Sequence, residues 1–360
     1  MTTDSTLSAE QPAASAQVPD SAAPTAMDLT LYCPVPTSDY QGRPWREIEQ
    51  ESVAWYASFD PPTAPELYRS TASALLVTTA YPPPARESVL RLITDHVVWG
   101  FFFDDHITSG TADPQHSRTC LAAAQRVLDT PECPIDDPCV FVTCFRDFVR
   151  RFSRAVTASQ WTPIAEGNRR WLTAIVPGRA ITAVNTYLPW RLDDDASPVY
   201  TGAVPAVGGY ELSPAQWADP RLVAVRELMG AIGGIDNDLA FPPAEDASAH
   251  ILDVLATEHG TTRTEAIPHA VALRDTLTCQ MARLADSLAR SGSPDLAHFA
   301  QSNLQLVRAN LDWYASTARY RQRIVGANSA PVTFTLTDTH PDHDCTTPPP
   351  YPSIAWWWKV

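Results

Sequence analysis

Apolar residues recur at three- and four-residue intervals through most of the chain, the period of a helix with one buried face. The pattern predicts helices over 44–59, 64–80, 85–105, 120–128, 140–156, 158–191, 220–238, 249–258, 262–290 and 294–323. Pro177-Gly178 interrupts the sixth, where a missing backbone donor breaks or kinks the helix. In the third, Val89, Leu92, Ile93, His96, Val97 and Gly100 share one face. In the ninth, Leu273, Leu277, Met281, Leu284 and Leu288 run down one side and are expected to be core. The stretch 192–214, with Asp193-Asp194-Asp195 and several turn residues, reads as irregular. No alternating strand pattern of useful length occurs in the body, and no repeat. The expectation is an all-α bundle of about ten or more helices in one domain.

The ends have a different composition. Residues 1–37 are rich in Pro, Ala and Ser and are expected to be a disordered tail, leaving 38–325 as the domain. Residues 326–360 are rich in Pro, Thr and Asp and read as an irregular C-terminal tail. They end in Trp356-Trp357-Trp358, which water disfavours, so this end is expected to pack on the body or on a partner.

At 360 residues and 44% hydrophobic, the chain can bury a deep core. Its net charge is −15, Lys359 is the single lysine, and the arginines are scattered, which argues against nucleic acid as a partner. The seven cysteines show no paired Cys-x-x-Cys spacing, so neither a disulfide frame nor a zinc site is expected. With no apolar signal core and no run of membrane-spanning length, the default location is cytoplasmic.

Two acidic stretches stand out against this background. Phe101-Phe102-Phe103-Asp104-Asp105 places adjacent carboxylates behind three aromatics at the end of an apolar helix, an unfavourable arrangement unless a cation binds. In Ile235-Asp236-Asn237-Asp238-Leu239-Ala240-Phe241-Pro242-Pro243-Ala244-Glu245-Asp246, Asn237, Phe241 and Glu245 share one face if the helix continues that far. An amide oxygen and a carboxylate two turns apart are hard ligands suited to Mg²⁺.

These two stretches resemble the metal motifs of the bacterial class I terpene synthases. That family carries an aspartate-rich motif and an Asn-Asp-(Leu/Ile/Val)-x-(Ser/Thr)-x-x-x-Glu motif on facing helices. Asp104 and Asp105 match the first, without its third acid. Asn237, Asp238, Leu239 and Glu245 match the second, with Phe241 in place of the Ser or Thr. Asp236 or Asp246 could substitute in the altered motif, whereas Asp95 lies too far up its helix. Arg191, ending Tyr187-Leu188-Pro189-Trp190, is similar to the family's diphosphate-sensing arginine, and Arg319-Tyr320 to its late Arg-Tyr pair. Leu31-Tyr32-Cys33-Pro34-Val35-Pro36 and Val207-Gly208-Gly209-Tyr210-Glu211-Leu212 are similar to stretches of the 2-methylisoborneol synthase branch.

The resemblance implies a class I terpenoid synthase bundle around a central cavity. It implies a lyase of terpenoid biosynthesis that ionises an acyclic C10, C11 or C15 prenyl diphosphate and cyclises the carbocation to a terpene hydrocarbon or alcohol. Asp104, Asp105, Asn237 and Glu245 would hold Mg²⁺, and Arg191, Arg319 and Tyr320 would act as catalytic and substrate-binding groups. Phe102 and Trp313 would contact the substrate, with Trp99, Phe101, Phe103, Tyr187 and Trp190 as further lining candidates. Phe241 and Pro242-Pro243 motivate an alternative: a catalytically degenerate relative that binds a prenyl diphosphate or a partner without turnover. A homodimer, and docking of a partner by the tails, stay open.

Overall fold

A computed structural model describes residues 27–63, 67–68, 70–81, 83–108, 113–135, 139–175, 181–241, 249–317 and 332–360. Among these residues thirteen α-helices are found. They are α1 (Trp45–Ala57), α2 (Ser73–Ala80), α3 (Glu87–Thr108), α4 (Pro114–Asp129), α5 (Val140–Ala155), α6 (Ala158–Ala174), α7 (Val184–Asp194), α8 (Ser197–Gly208), α9 (Pro214–Trp217), α10 (Pro220–Ala240), α11 (Ile251–His259), α12 (Arg263–Ala289) and α13 (Pro294–Ser316). No helix among the described residues is long and apolar enough to cross a membrane.

Helix starts follow the sequence closely. Asp113, Thr157, Ser213, Asp219, Thr262 and Ser293 each accept a backbone N–H in the first turn, and Pro114, Pro214, Pro220 and Pro294 occupy first-turn positions. Helix α10 is apolar almost all round and is packed on nearly every side, by α7, α8, α12 and α13. Helix α3 packs on α1, α2, α5 and α8. Its Trp99 stacks between Phe103 (centroids 4.9 Å apart) and Phe145 (4.3 Å). Each such pair adds about 1 kcal/mol beyond the area it buries.

The segment expected to be irregular, 192–214, contains helix α8, which is buried along most of its length and touches both α3 and α10. Its prolines and glycines are close-packing points rather than breakers. A Cβ on Gly202 would stand 2.8 Å from the Pro163 carbonyl oxygen on α6, and one on Gly167 of α6 would stand 2.5 Å from the backbone of Pro198. The two helices interlock because each lacks a side chain where the other's backbone passes.

The ends also differ from expectation. Met27–Tyr32 (β1) pairs in parallel with Val332–Thr337 (β2), Met27 opposite Val332 and Tyr32 opposite Thr337. Leu29 and Leu31 face the core while Asp28 and Thr30 are exposed, the two-residue period of a half-buried strand. Residues 27–37 therefore belong to the folded body rather than to a disordered tail, while at the other end residues 338–354 form neither helix nor strand, as expected of an irregular stretch. Arg308 on α13 donates to the Val35 carbonyl at 2.9 Å and to Thr37 Oγ1 at 2.6 Å. The C-terminal tryptophans pack on the body: Trp357 is buried and donates from Nε1 to Glu227 Oε2 at 2.8 Å.

Candidate functional site

The last turn of α10 divides its polar residues between two directions, because consecutive helical positions are rotated by about 100°. Asp236 turns inward. Both its side chain and that of Arg274 on α12 are fully buried, and Arg274 Nε donates to Asp236 Oδ1 at 2.8 Å. Arg274 also donates to the Tyr32 carbonyl, which ties β1 to the same ion pair. Asp236 is thus a scaffold acid, and the idea that it substitutes as a ligand is not supported by this placement.

Asp238 is a second scaffold acid. Its Oδ1 accepts from Arg191 Nη2 at 2.9 Å, and its Oδ2 accepts from Tyr187 Oη at 2.6 Å and from the Ile251 backbone N–H at 2.7 Å. One carboxylate therefore joins α7, α10 and the first turn of α11, where the helix dipole favours a negative charge. Three donors on one buried carboxylate offset its loss of water.

Asn237, between these acids, is only partly buried. Its Oδ1 accepts from Arg191 Nη2 at 2.9 Å, and its Nδ2 donates to Tyr314 Oη on α13 at 3.3 Å. Arg191 is buried against α10 and also pairs with Asp194. Burial opposes its charge, but Asp238, Tyr187, Asp194 and Asp195 outweigh that and hold the guanidinium protonated. It fits there because position 234 is glycine: a Cβ would stand 2.3 Å from Arg191 Cγ. Gly230 and Gly233 likewise let Leu192 and Asp195 approach α10.

The helix ends at Ala240, so Phe241 does not extend the Asn237 face as expected. Its backbone is extended (φ −128°, ψ 122°), and its ring meets the Tyr314 ring edge-on with centroids 5.3 Å apart. His250 Nδ1 accepts from the Leu252 N–H, leaving Nε2 to donate to the Phe241 carbonyl at 3.0 Å. His250 thus ties the end of α10 to the start of α11. Pro242, Pro243, Glu245 and Asp246, and Arg319 and Tyr320, lie outside the described residues.

Asp104 and Asp105 lie in the last turns of α3, both partly buried. Asp95, higher on the same helix, is buried between Arg91 and Arg151 and is committed to the scaffold. Trp99 and Phe103 are buried in the core stack. Phe102 stacks on Tyr56 at 5.6 Å and meets Tyr68 edge-on. Trp313 stacks on Phe101 at 5.4 Å, its Nε1 donating to the Thr71 carbonyl. Tyr187 supports Asp238, and Trp190 Nε1 donates to the Ala174 carbonyl at 3.3 Å.

A continuous chain of contacts therefore links the two acidic helix ends. Phe101 on α3 stacks on Trp313, Trp313 packs on Tyr314 at 5.3 Å, and Tyr314 touches both Asn237 and Phe241. Sequence reasoning missed Tyr314; its one signal was its place directly after Asn310-Leu311-Asp312-Trp313. Asp104, Asp105 and Asn237 carry oxygen donors of the hard kind that suits a divalent cation.

The model of a family described as terpene synthase family 2, C-terminal metal binding, matches residues 95–280. The chain is 32% identical over 275 residues to tsukubadiene synthase of Streptomyces tsukubensis, covering 73% of this chain and 79% of that one. Bonnadiene synthase of Allokutzneria albata is 28% identical over 356 residues, 91% of this chain and 96% of the relative. (+)-T-muurolol synthase of Streptomyces clavuligerus, named as cyclising (2E,6E)-farnesyl diphosphate, is 28% identical, covering 92% and 82%. Among solved structures, the SVS_A2 protein from ancestral sequence reconstruction superposes with a TM-score of 0.78 at 23% identity, over 91% of this chain and 98% of that one. Wild-type cucumene synthase gives 0.65 at 22% identity, over 79% and 99%. At these identities the two structures share the fold.

Proposed function

We propose that this chain, which belongs to terpene synthase family 2 and is a bacterial class I terpene synthase, uses Asp104, Asp105, Asn237 and Glu245 to hold Mg²⁺ and cyclises a prenyl diphosphate. The observation that carries the reading is Arg191 donating to Asn237: a permanent cation and a metal-type oxygen meet at the end of α10. The donor set fits. Among the described residues of that turn, Asp236 and Asp238 are engaged in buried ion pairs with Arg274 and Arg191, while the carboxamide oxygen of the partly buried Asn237, which accepts from Arg191, has a second lone pair for a ligand.

Bound Mg²⁺ supplies charge neutralisation that makes diphosphate a leaving group. The chain's own residues do the rest. Arg191 offers a planar fork suited to phosphate oxygens, pre-set by Asp238 and Asp194. Arg319 and Tyr320 add donors to the same anion. Loss of diphosphate leaves an allylic carbocation, which a distal double bond of the same chain attacks. Phe101, Phe102 and Trp313, whose rings stack on Trp313, Tyr56 and Phe101 beside the acidic end of α3, would exclude water and stabilise positive charge.

The relative that cyclises farnesyl diphosphate makes a C15 chain the first substrate to examine. The test is to incubate the full chain with geranyl, 2-methylgeranyl or farnesyl diphosphate, with and without Mg²⁺. Diphosphate release is followed and volatile products are resolved by gas chromatography. A cyclic product that requires Mg²⁺ is expected; its absence with all three substrates overturns the reading.

A further inference from the structure

Beside the acidic end of α3 lies a set of donors of different chemistry. His106, the residue after Asp105, His116 and Cys120 each bring one ligand atom, and these three atoms all lie within 4.8 Å of one another. His116 and Cys120 are one turn apart on the same face of α4, and Cys120 Sγ is 3.5 Å from His116 Nε2. The two imidazoles stand edge to face at 5.7 Å, and His106 is stacked on Phe141 of α5 at 4.8 Å, which fixes its ring. Cys139, the N-cap residue of α5, brings its thiol within hydrogen-bonding reach of Cys120.

We propose that His106, His116 and Cys120, with Cys139 as a fourth ligand, form a site for a soft divalent cation of the Zn²⁺ class. In a tetrahedral site with Zn–S of about 2.3 Å and Zn–N of about 2.0 Å, nitrogen and sulfur stand about 3.5 Å apart. His116 and Cys120 already have that separation. The His106–His116 and His106–Cys120 pairs, within 4.8 Å, close by side-chain rotation on the order of 1 Å.

The donor chemistry separates this site from the carboxylates next to it. Imidazole and thiolate favour zinc, whereas Mg²⁺ favours oxygen. Two thiolates would cancel the charge of the dication, and Cys139 sits at a helix N-terminus, where a thiolate is favoured. Loading the ion on two thiols releases their protons. Because the ligands come from the end of α3 and the starts of α4 and α5, a bound ion would fasten the turn that carries Asp104 and Asp105.

A second thiol–imidazole group, Cys279, His340 and Cys345, provides the internal comparison. The full chain is loaded with Zn²⁺, passed through a desalting column and assayed for retained zinc by mass spectrometry. Co²⁺ substitution is followed by its sulfur-to-metal absorption. His116 is exposed, so His116→Ala leaves the core intact; Cys120→Ser is the second variant, and Cys345→Ser and Asp104→Asn are controls. Wild type, Cys345→Ser and Asp104→Asn are expected to retain about one ion per chain, with affinity reduced at least tenfold in His116→Ala and Cys120→Ser. The proposal is overturned if wild type retains no zinc, if His116→Ala and Cys120→Ser bind as wild type does, or if only Cys345→Ser loses the ion. Since the readout is metal content, it stands apart from whether any diphosphate is turned over.

Discussion

One nitrogen of Arg191 donates to both Asn237 Oδ1 and Asp238 Oδ1, each at 2.9 Å. A cation held on Asn237 competes with any metal ion for the same oxygen lone pairs, so filling the site should release Arg191 toward the diphosphate. The geometry depends on Gly234, whose replacement would drive a Cβ to 2.3 Å from Arg191 Cγ. Arg191→Lys keeps the charge but loses the fork, and kcat is expected to fall by about 10²- to 10³-fold. Gly234→Ala is expected to lower kcat at least tenfold by displacing the same side chain. Wild-type kinetics in either variant would remove Arg191 from the mechanism.

Tyr314 supplies a hydroxyl to Asn237 where the residue four positions on, Phe241, has none. Tyr314→Phe keeps the edge-on ring contact and removes the hydroxyl that accepts from Asn237 Nδ2. The Mg²⁺ concentration for half-maximal rate should rise several-fold. Loss of one partly buried hydrogen bond contributes about 1 kcal/mol, so Tm should fall by no more than about 2–4 °C. Unchanged Mg²⁺ dependence would show that the hydroxyl does not position Asn237.

Two acids of the paired motifs should behave oppositely. Asp236→Asn leaves the Arg274 guanidinium fully buried with a weakened partner, a change that costs about 3–5 kcal/mol when a buried pair is broken outright. Its expected signature is a clear loss of Tm. Asp104→Asn alters a partly exposed carboxylate and should leave Tm near wild type while removing most of the activity. Thermal unfolding and diphosphate release on both variants check this; reversed signatures would exchange the roles assigned to the two residues.

What the sequence made legible was what repeats along one helix. The apolar spacing of α3, α5, α10 and α12 marked these helices within a few residues, and the order of Asp104, Arg191 and Asn237 along the chain marked the family. Contacts between distant segments were not legible. Tyr314 meets Asn237 across 77 positions, and β1 finds β2 only when the chain ends meet. Helix α8 was hidden because Pro198, Gly202 and Pro205 read as breakers until Gly202 is seen against the Pro163 carbonyl. The opposite duties of Asp236 and Asn237 follow from helical rotation alone, but only the buried partner Arg274 says which side faces in.

His96 gives the fold a built-in pH dependence. It is fully buried on α3, and Asn168 Nδ2 donates to the Ile164 carbonyl, which leaves Asn168 Oδ1 to accept from His96 Nε2 at 2.9 Å. The other ring nitrogen then accepts from Tyr200 Oη at 3.3 Å, so the neutral tautomer satisfies both contacts. Burial pushes the imidazole down to about 4, against the opposing pull of the Asn168 hydrogen bond. The unfolded chain takes up a proton near pH 6.5 while the folded one does not, so the contribution is fully present above about 6.5 and is lost as pH falls toward about 4. Each pH unit in that window removes about 1.4 kcal/mol. Urea unfolding at pH 7, 6 and 5 should therefore show a steeper loss for wild type than for His96→Gln, by about one proton per chain. Parallel pH profiles for the two proteins would mean that His96 is not the group that titrates.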